Sequence, residues 1–261
     1  MGYPIAVDKS GQLDPNIVYR WVDSLTTEEL EAQFARLQAQ AMFERWWQYE
    51  PYGPQAEFHA LGYDHRERLF MAGNQLGKTT AGGFELTCHL IGYYPSWWKG
   101  RVWRDATRWW AAGETGETTR DSIQTLLFGP HDQPEMMGTG LIPLECIKDV
   151  SRTGNPSDAI DTGTIAHSSG NNGSLAFKTY GKGRSRWQSV TIDGVWYDEE
   201  PPADVYSEGV TRTNVGLGSI MVTFTPLRGV SNVVKEFIDD DRMREMVALA
   251  QMRFRQLGIP V

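Results

Sequence analysis

Short apolar runs alternate with helical-period stretches along most of this chain, and that order predicts an α/β fold. In "TTEELEAQFARLQAQAMFERWWQYE", Leu30, Phe34, Leu37 and Ala41 repeat at helical spacing. Thr26 and Glu29 have capping-box spacing, so one helix is expected from about 26 to 49, ended by Pro51 and Gly53. "RLFMA" (68–72) reads as a buried strand. "TTAGGFELTCHLI" reads as the next helix, its Gly82 and Gly83 either weakening it or permitting close packing. "TRWWAAG" (107–113) predicts a further strand, and "ETTRDSIQTLLFG" a helix stopped by Gly129-Pro130. Residues 131–172, rich in Gly, Pro, Asn and Ser, predict only short structured pieces. "SLAFKTY" (174–180), the start of "GVWYDEEPP" and "SIMVTFTP" (219–226) predict three more strands. The expected result is a mainly parallel central sheet flanked by helices. The boundaries expected are an N-terminal arm and helix over 1–50, a core over 51–238, and a C-terminal helix over 239–261.

Composition narrows the class. Of 261 residues, 40% are apolar and 22% charged, ordinary values for a folded chain. No apolar run approaches the roughly 18 residues of a membrane span, and no signal-peptide pattern opens the chain, so no membrane partner is expected. Cys88 and Cys146 lack metal or redox spacing and suit a reducing compartment. The net charge of -8 argues against a dedicated nucleic-acid coat, yet leaves room for a local basic patch. Six of the ten tryptophans fall in pairs, which suits cores and interfaces equally.

The chemistry begins at "FMAGNQLGKTTAGG". A phosphate chain needs backbone N–H donors, a helix N-terminus and a cation. Gly73, Asn74, Gln75, Leu76, Gly77, Lys78, Thr79 and Thr80 are therefore the candidate ATP-binding loop. Lys78 would reach the β- and γ-phosphates, and Thr79 would ligate Mg²⁺. Ala72 stands where the motif has its first glycine, which costs little if φ there is negative. "VWYDEE" supplies the acidic partner. Asp198 would hold Mg²⁺ with Thr79, and Glu199 would activate a water, with Glu200 as its substitute. Gln55 could read an adenine edge. Thr223 or Thr225 could sense the γ-phosphate. Lys182, Arg184 and Arg186 in "GKGRSRWQS" could stabilise transferred charge or bind DNA phosphate.

Taken together these motifs resemble the ATPase half of viral large terminase subunits, the motors that pump DNA into preformed capsids. "AGNQLGKTTAG", "GYYPSWWKGRVW", "RWWAAGETGETTRDSIQTLLFG", "LAFKTYGKGRSRWQS", "GVWYDEEPP", "YSEGVTRTN" and "MVTFTPLRG" look like that family in order, over about residues 42–238. The resemblance implies a P-loop NTPase fold of the RecA-like ASCE kind. It implies a ring of copies around duplex DNA at the capsid portal protein, a small terminase subunit as partner, and the host cytoplasm as the place of work. By the same resemblance Lys78 and Thr79 are the P-loop pair, Asp198 the magnesium residue and Glu199 the catalytic base. Gln55 falls in the adenine-contact motif, and Thr223 to Thr225 in the coupling motif.

The chain departs from the family twice. Asn74 stands where many members carry an arginine, leaving Arg184, Arg186 and Arg212 as candidates for the catalytic arginine, in cis or across a subunit interface. The chain also ends before the nuclease half of full-length members. Asp239, Asp240 and Asp241 read as helix-start dipole partners ahead of an amphipathic stretch, so nuclease activity is not expected. Two other readings stay open: another DNA-remodelling ATPase, and a nucleotide-regulated assembly module that hydrolyses little alone.

Overall fold

A computed structural model describes residues 23–31, 45–154, 156, 158–182, 190–225 and 231–237. The chain divides into two compact units, Met1–Glu44 and Arg45–Val261. In the first, residues 27–31 are helical. The capping box forms there, with Glu29 N–H donating to Thr26 Oγ1 at 3.3 Å and Thr26 N–H to Glu29 Oε2 at 2.9 Å. The helix expected to reach residue 49 does not: residues 45–48 form a turn. Trp46 lies in this turn, buried and stacked on Phe84 at 5.7 Å. Residues 32–44 and 238–261, and with them the expected C-terminal helix, lie outside the described residues.

The second unit holds α1 (Gly53–Leu61), β1 (Glu67–Met71), α2 (Lys78–Ile91) and β2 (Arg108–Gly113). Next comes α3 (Gly116–Thr118), a π-helical stretch (Thr119–Gln124) and α4 (Thr125–Phe128). β3 (Ile147–Thr153), β4 (Ala159–Ala166), β5 (Asn172–Thr179) and β6 (Gly194–Asp198) follow, then α5 (Ala203–Thr213), β7 (Ser219–Phe224) and α6 (Asn232–Phe237). The seven strands form one sheet in the order β1-β7-β6-β2-β5-β4-β3. The pairs from β1 to β5 are parallel, and β5-β4 and β4-β3 antiparallel.

Every residue of β6 and β7 is buried, as expected of central strands covered on both faces. Their side chains alternate between two cores. Trp196 and Met221 join the larger core, around Phe84, Leu86, Leu90 and Trp109. Val195, Tyr197, Ile220 and Val222 join the other, with Val205 of α5 and Val233 of α6. The Gly82-Gly83 pair resolves toward close packing. A Cβ on Gly82 would sit 2.4 Å from the Trp196 indole nitrogen, so glycine lets α2 lie against β6.

The expectation for 131–172 is corrected, because β3 and β4 add a seven- and an eight-residue strand. Their signal is faint because little of them is apolar and buried: β3 is the sheet edge, with no fully buried residue, and β4 packs chiefly through Ile160 and Ile165. Gln124, in the π-helical stretch, fixes β4 by bonding both the N–H and the carbonyl of Ile160 at 2.8 Å.

Candidate functional site

Residues 72–77 leave the C-terminal end of β1 and enter α2. The loop bends at Gln75 (φ 60°) and Gly77 (φ 70°), the left-handed residue that caps α2. Ala72 needs no such conformation, which accounts for its tolerance there. Two residues from the segment before β1 hold the loop. The Tyr52 hydroxyl donates to the Leu76 carbonyl at 2.7 Å, and Gln55 Nε2 donates to the Gly77 carbonyl at 3.0 Å. Gln55 Oε1 accepts from Tyr52 N–H at 3.2 Å, and the side chain is buried. One donor and one acceptor of its amide are thus used within the protein, and through them Gln55 clamps the loop. Tyr52 is a contact that motif reading missed, since nothing marks its hydroxyl in sequence.

Lys78 is buried, and its ammonium donates to the Gly73 carbonyl at 2.7 Å, folded over the loop. Thr79 opens the first turn of α2 and reaches across to β6. Its hydroxyl lies 2.9 Å from Asp198 Oδ1 and 3.1 Å from Oδ2. The β6–β7 register places Asp198 beside Thr223. Thr223 Oγ1 donates to Asp198 Oδ1 at 2.9 Å and accepts from Trp196 Nε1 at 2.8 Å. Thr223 is therefore spent on positioning the carboxylate, wholly buried. Thr225 donates to Asn74 Oδ1 at 2.9 Å, joining the end of β7 to the loop. Thr80 follows on α2, half-buried.

Burial pushes the Asp198 carboxyl up to about 6, against the hydrogen bonds from Thr223 and Thr79 that favour the ionised form. Among the described residues it meets hydroxyls and no ion-pair partner within 4 Å. A buried carboxylate beside a threonine hydroxyl is a hard-oxygen donor set that fits Mg²⁺.

Glu199 follows in a left-handed conformation (φ 71°), costly for a side chain with a Cβ. Two bonds hold it. Its N–H donates to the Thr223 carbonyl at 2.8 Å, and the Tyr180 hydroxyl donates to its carbonyl at 2.7 Å. The turn exposes Glu199 to a cavity of about 650 Å³ lined by Glu114, Tyr180, Glu200, Pro201 and Thr225 among others. Tyr180 and Glu114 were missed in the sequence. Tyr180 ends the "LAFKTY" strand pattern and Glu114 follows β2, positions that a parallel sheet brings beside β6.

The arginines are placed less simply. Arg184 and Arg186 lie outside the described residues, as does the Lys182 side chain. Arg212 sits in the last turn of α5, at the end of the sheet opposite the 72–77 loop, its Nε 2.8 Å from Glu208 Oε1. Of the two ways left open for Arg212, this placement puts it away from the Glu199 cavity of its own chain, which no described arginine lines.

Behind the loop, Glu85 of α2 is fully buried with Arg68, His59 and His89. Its carboxylate takes His59 Nδ1 at 2.8 Å and Arg68 NH1 at 3.1 Å. Burial pushes Glu85 up, but Arg68 and the two histidines outweigh it and hold the carboxyl well below its ordinary range. His59 lies one helical turn after Gln55, so this cluster ties the clamp helix to α2.

Strand, bending loop, helix and a carboxylate on a parallel strand one place removed define an α/β protein built around one loop at the ends of its strands. A family model described as "Terminase large subunit, T4likevirus-type, N-terminal" matches residues 69–255. The chain belongs to this terminase large subunit family. It is 37% identical over 218 residues to "Terminase, large subunit" of Salmonella phage P22, which covers 77% of this chain and 44% of that protein. It thus spans under half the length of that relative. The large terminase of a thermophilic bacteriophage aligns at TM-score 0.47 and 14% identity, over 67% of this chain and 39% of that one. The same terminase in complex with ADP aligns at TM-score 0.41 and 14% identity, over 71% and 37%.

Proposed function

We propose that this chain binds and hydrolyses ATP as the motor part of a terminase large subunit, driving double-stranded DNA into a procapsid. One observation carries the reading: Thr79, Asp198 and Glu199 converge beside a loop that ends on a helix N-terminus. Backbone N–H groups of residues 73–79 and the α2 dipole take the phosphates. Lys78 exchanges the Gly73 carbonyl for phosphate oxygens. Thr79 and Asp198 would hold Mg²⁺, which when bound supplies Lewis-acid neutralisation of phosphate charge. Glu199 orients a water in line with the γ-phosphorus and accepts its proton. The new P–O bond forms as the bond to the β,γ-bridging oxygen breaks, giving ADP and inorganic phosphate. Thr225, tied to Asn74, is placed to pass loop movement to β7.

The partners on this reading are duplex DNA, a portal protein, a small terminase subunit and further copies of the chain in a ring, in the host cytoplasm. A neighbouring copy, or Arg184 or Arg186 of this one, supplies the arginine. The second reading, a nucleotide-regulated module with little hydrolysis alone, is favoured by the lack of a described arginine in the Glu199 cavity. Phosphate release with and without DNA and portal separates the two. Stimulated turnover supports the motor; nucleotide binding without turnover under every condition supports the module.

A further inference from the structure

At the opposite ends of the strands, away from the 72–77 loop, lies a second cavity of about 600 Å³. Arg66, Arg101 and Arg104 line it, with His65 and the highly exposed Tyr63. Asp64 is the one carboxylate among the described residues of its lining. On a chain of net charge -8, such a cluster is a local reversal of sign.

Among the described residues no carboxylate comes within ion-pair distance of these three arginines, although the charge of Asp193 reaches Arg101. Arg66 donates to the Gly218 and Val210 carbonyls at 3.0 and 2.8 Å, to Thr213 Oγ1 and to Asn214 Oδ1, capping the C-terminal end of α5. Arg101 stacks on the Trp103 ring at 4.0 Å and donates to the Leu217 carbonyl at 2.6 Å. Among the described residues no ion pair reaches Lys99, Arg101, Arg104 or Arg108. The segment Lys99–Arg108 holds these four cations against one acid, Asp105. That carboxylate is taken by Asn171 at 2.8 Å, Ser169 at 3.0 Å and the Ala106 N–H at 2.7 Å.

We propose that the Arg101–Arg104 rim of this cavity is a phosphate-contact surface for the backbone of nucleic acid. A guanidinium held by stacking keeps its fork pre-organised for phosphate oxygens. Cations strung along one segment, rather than focused on one point, match a polymer with a charge at every unit. A single acidic side chain of a protein partner would answer only one of them. This surface rests on the proposed motor reading for its partner and not for its site, since it shares no residue with the ATP machinery.

The test is binding of a labelled duplex oligonucleotide to the full 261-residue chain, without nucleotide, across a salt series. The variants are Arg101→Ala/Arg104→Ala and the single Arg104→Glu, chosen because the Arg104 side chain is exposed. Each lost phosphate contact lowers the slope of log affinity against log salt by about 0.9. The double variant should therefore lose a slope of about 1.8 and, at moderate salt, about tenfold in affinity. Basal ATP turnover, read in parallel, should be unchanged in both variants. Wild-type affinity and slope in Arg104→Glu would overturn the proposal while leaving the motor reading intact. Competition by poly-glutamate as effective as by unlabelled duplex, or binding of pyrophosphate at the rim with no duplex binding, would overturn it too.

Discussion

The Tyr180 hydroxyl donates to the Glu199 carbonyl at 2.7 Å and so holds the one acidic residue that leaves β6 in a left-handed turn. The same hydroxyl lies 3.1 Å from the Asp198 carbonyl. Tyr180→Phe keeps the ring and removes the donor. It should lower kcat for ATP about tenfold, equivalent to about 1.4 kcal/mol of barrier, with ATP affinity unchanged. Steady-state kinetics beside equilibrium binding check this. An unaltered kcat would mean that the turn holds itself.

Thr223 joins the Trp196 indole to the Asp198 carboxylate in a buried chain. Thr223→Val conserves shape but leaves both partners short of a bond, which should cost about 1–3 kcal/mol in chemical denaturation. Thr223→Ser should restore most of it. A valine variant as stable as wild type would show that the hydroxyl does not matter.

Gln55 spends its amide on the loop and on its own helix start. Gln55→Ala should therefore weaken ATP and GTP binding in parallel, by roughly fivefold, about one loop-holding hydrogen bond. Calorimetry with both nucleotides gives the answer. A loss confined to ATP would show instead that Gln55 reads adenine.

Glu85 and His89 predict how stability follows pH. The Glu85 carboxyl is held below its ordinary value, so its contribution is present above about pH 4.5 and is lost as pH falls toward the folded value. Burial lowers His89, so the unfolded chain takes up a proton first and stability declines below about pH 6.5. Stability should thus fall in two stages on acidification. Glu85→Gln should lose about 3–5 kcal/mol at neutral pH by leaving Arg68 buried without its charge partner, and should flatten the lower stage. Denaturation midpoints from pH 2 to 8 test both. A Glu85→Gln profile parallel to wild type would refute the assignment.

The central strands and the loop were legible because their signals are local. Continuous apolar runs mark β6 and β7, and glycine marks the bend at 77. What failed to show depends on the partner across space. α1 is short and weakly apolar, and its meaning lies in Gln55 and Tyr52 touching a loop more than twenty residues away. β3 is an edge strand with no fully buried residue, and β4 beside it buries few apolar side chains, chiefly Ile160 and Ile165. The turn at 45–48 interrupts the helical pattern where Trp46 is buried against Phe84, a contact that sequence periodicity does not show. Arg212 looked available until α5 placed it at the far end of the sheet beside Glu208.

The most direct measurement is ATP turnover by wild type and Glu199→Gln, with nucleotide binding measured on the same preparations. The account predicts that Glu199→Gln binds Mg-ATP as wild type does and releases phosphate at least a hundredfold more slowly, within the range of about 10²–10⁴ that a general base contributes. Turnover in Glu199→Gln equal to wild type would contradict it.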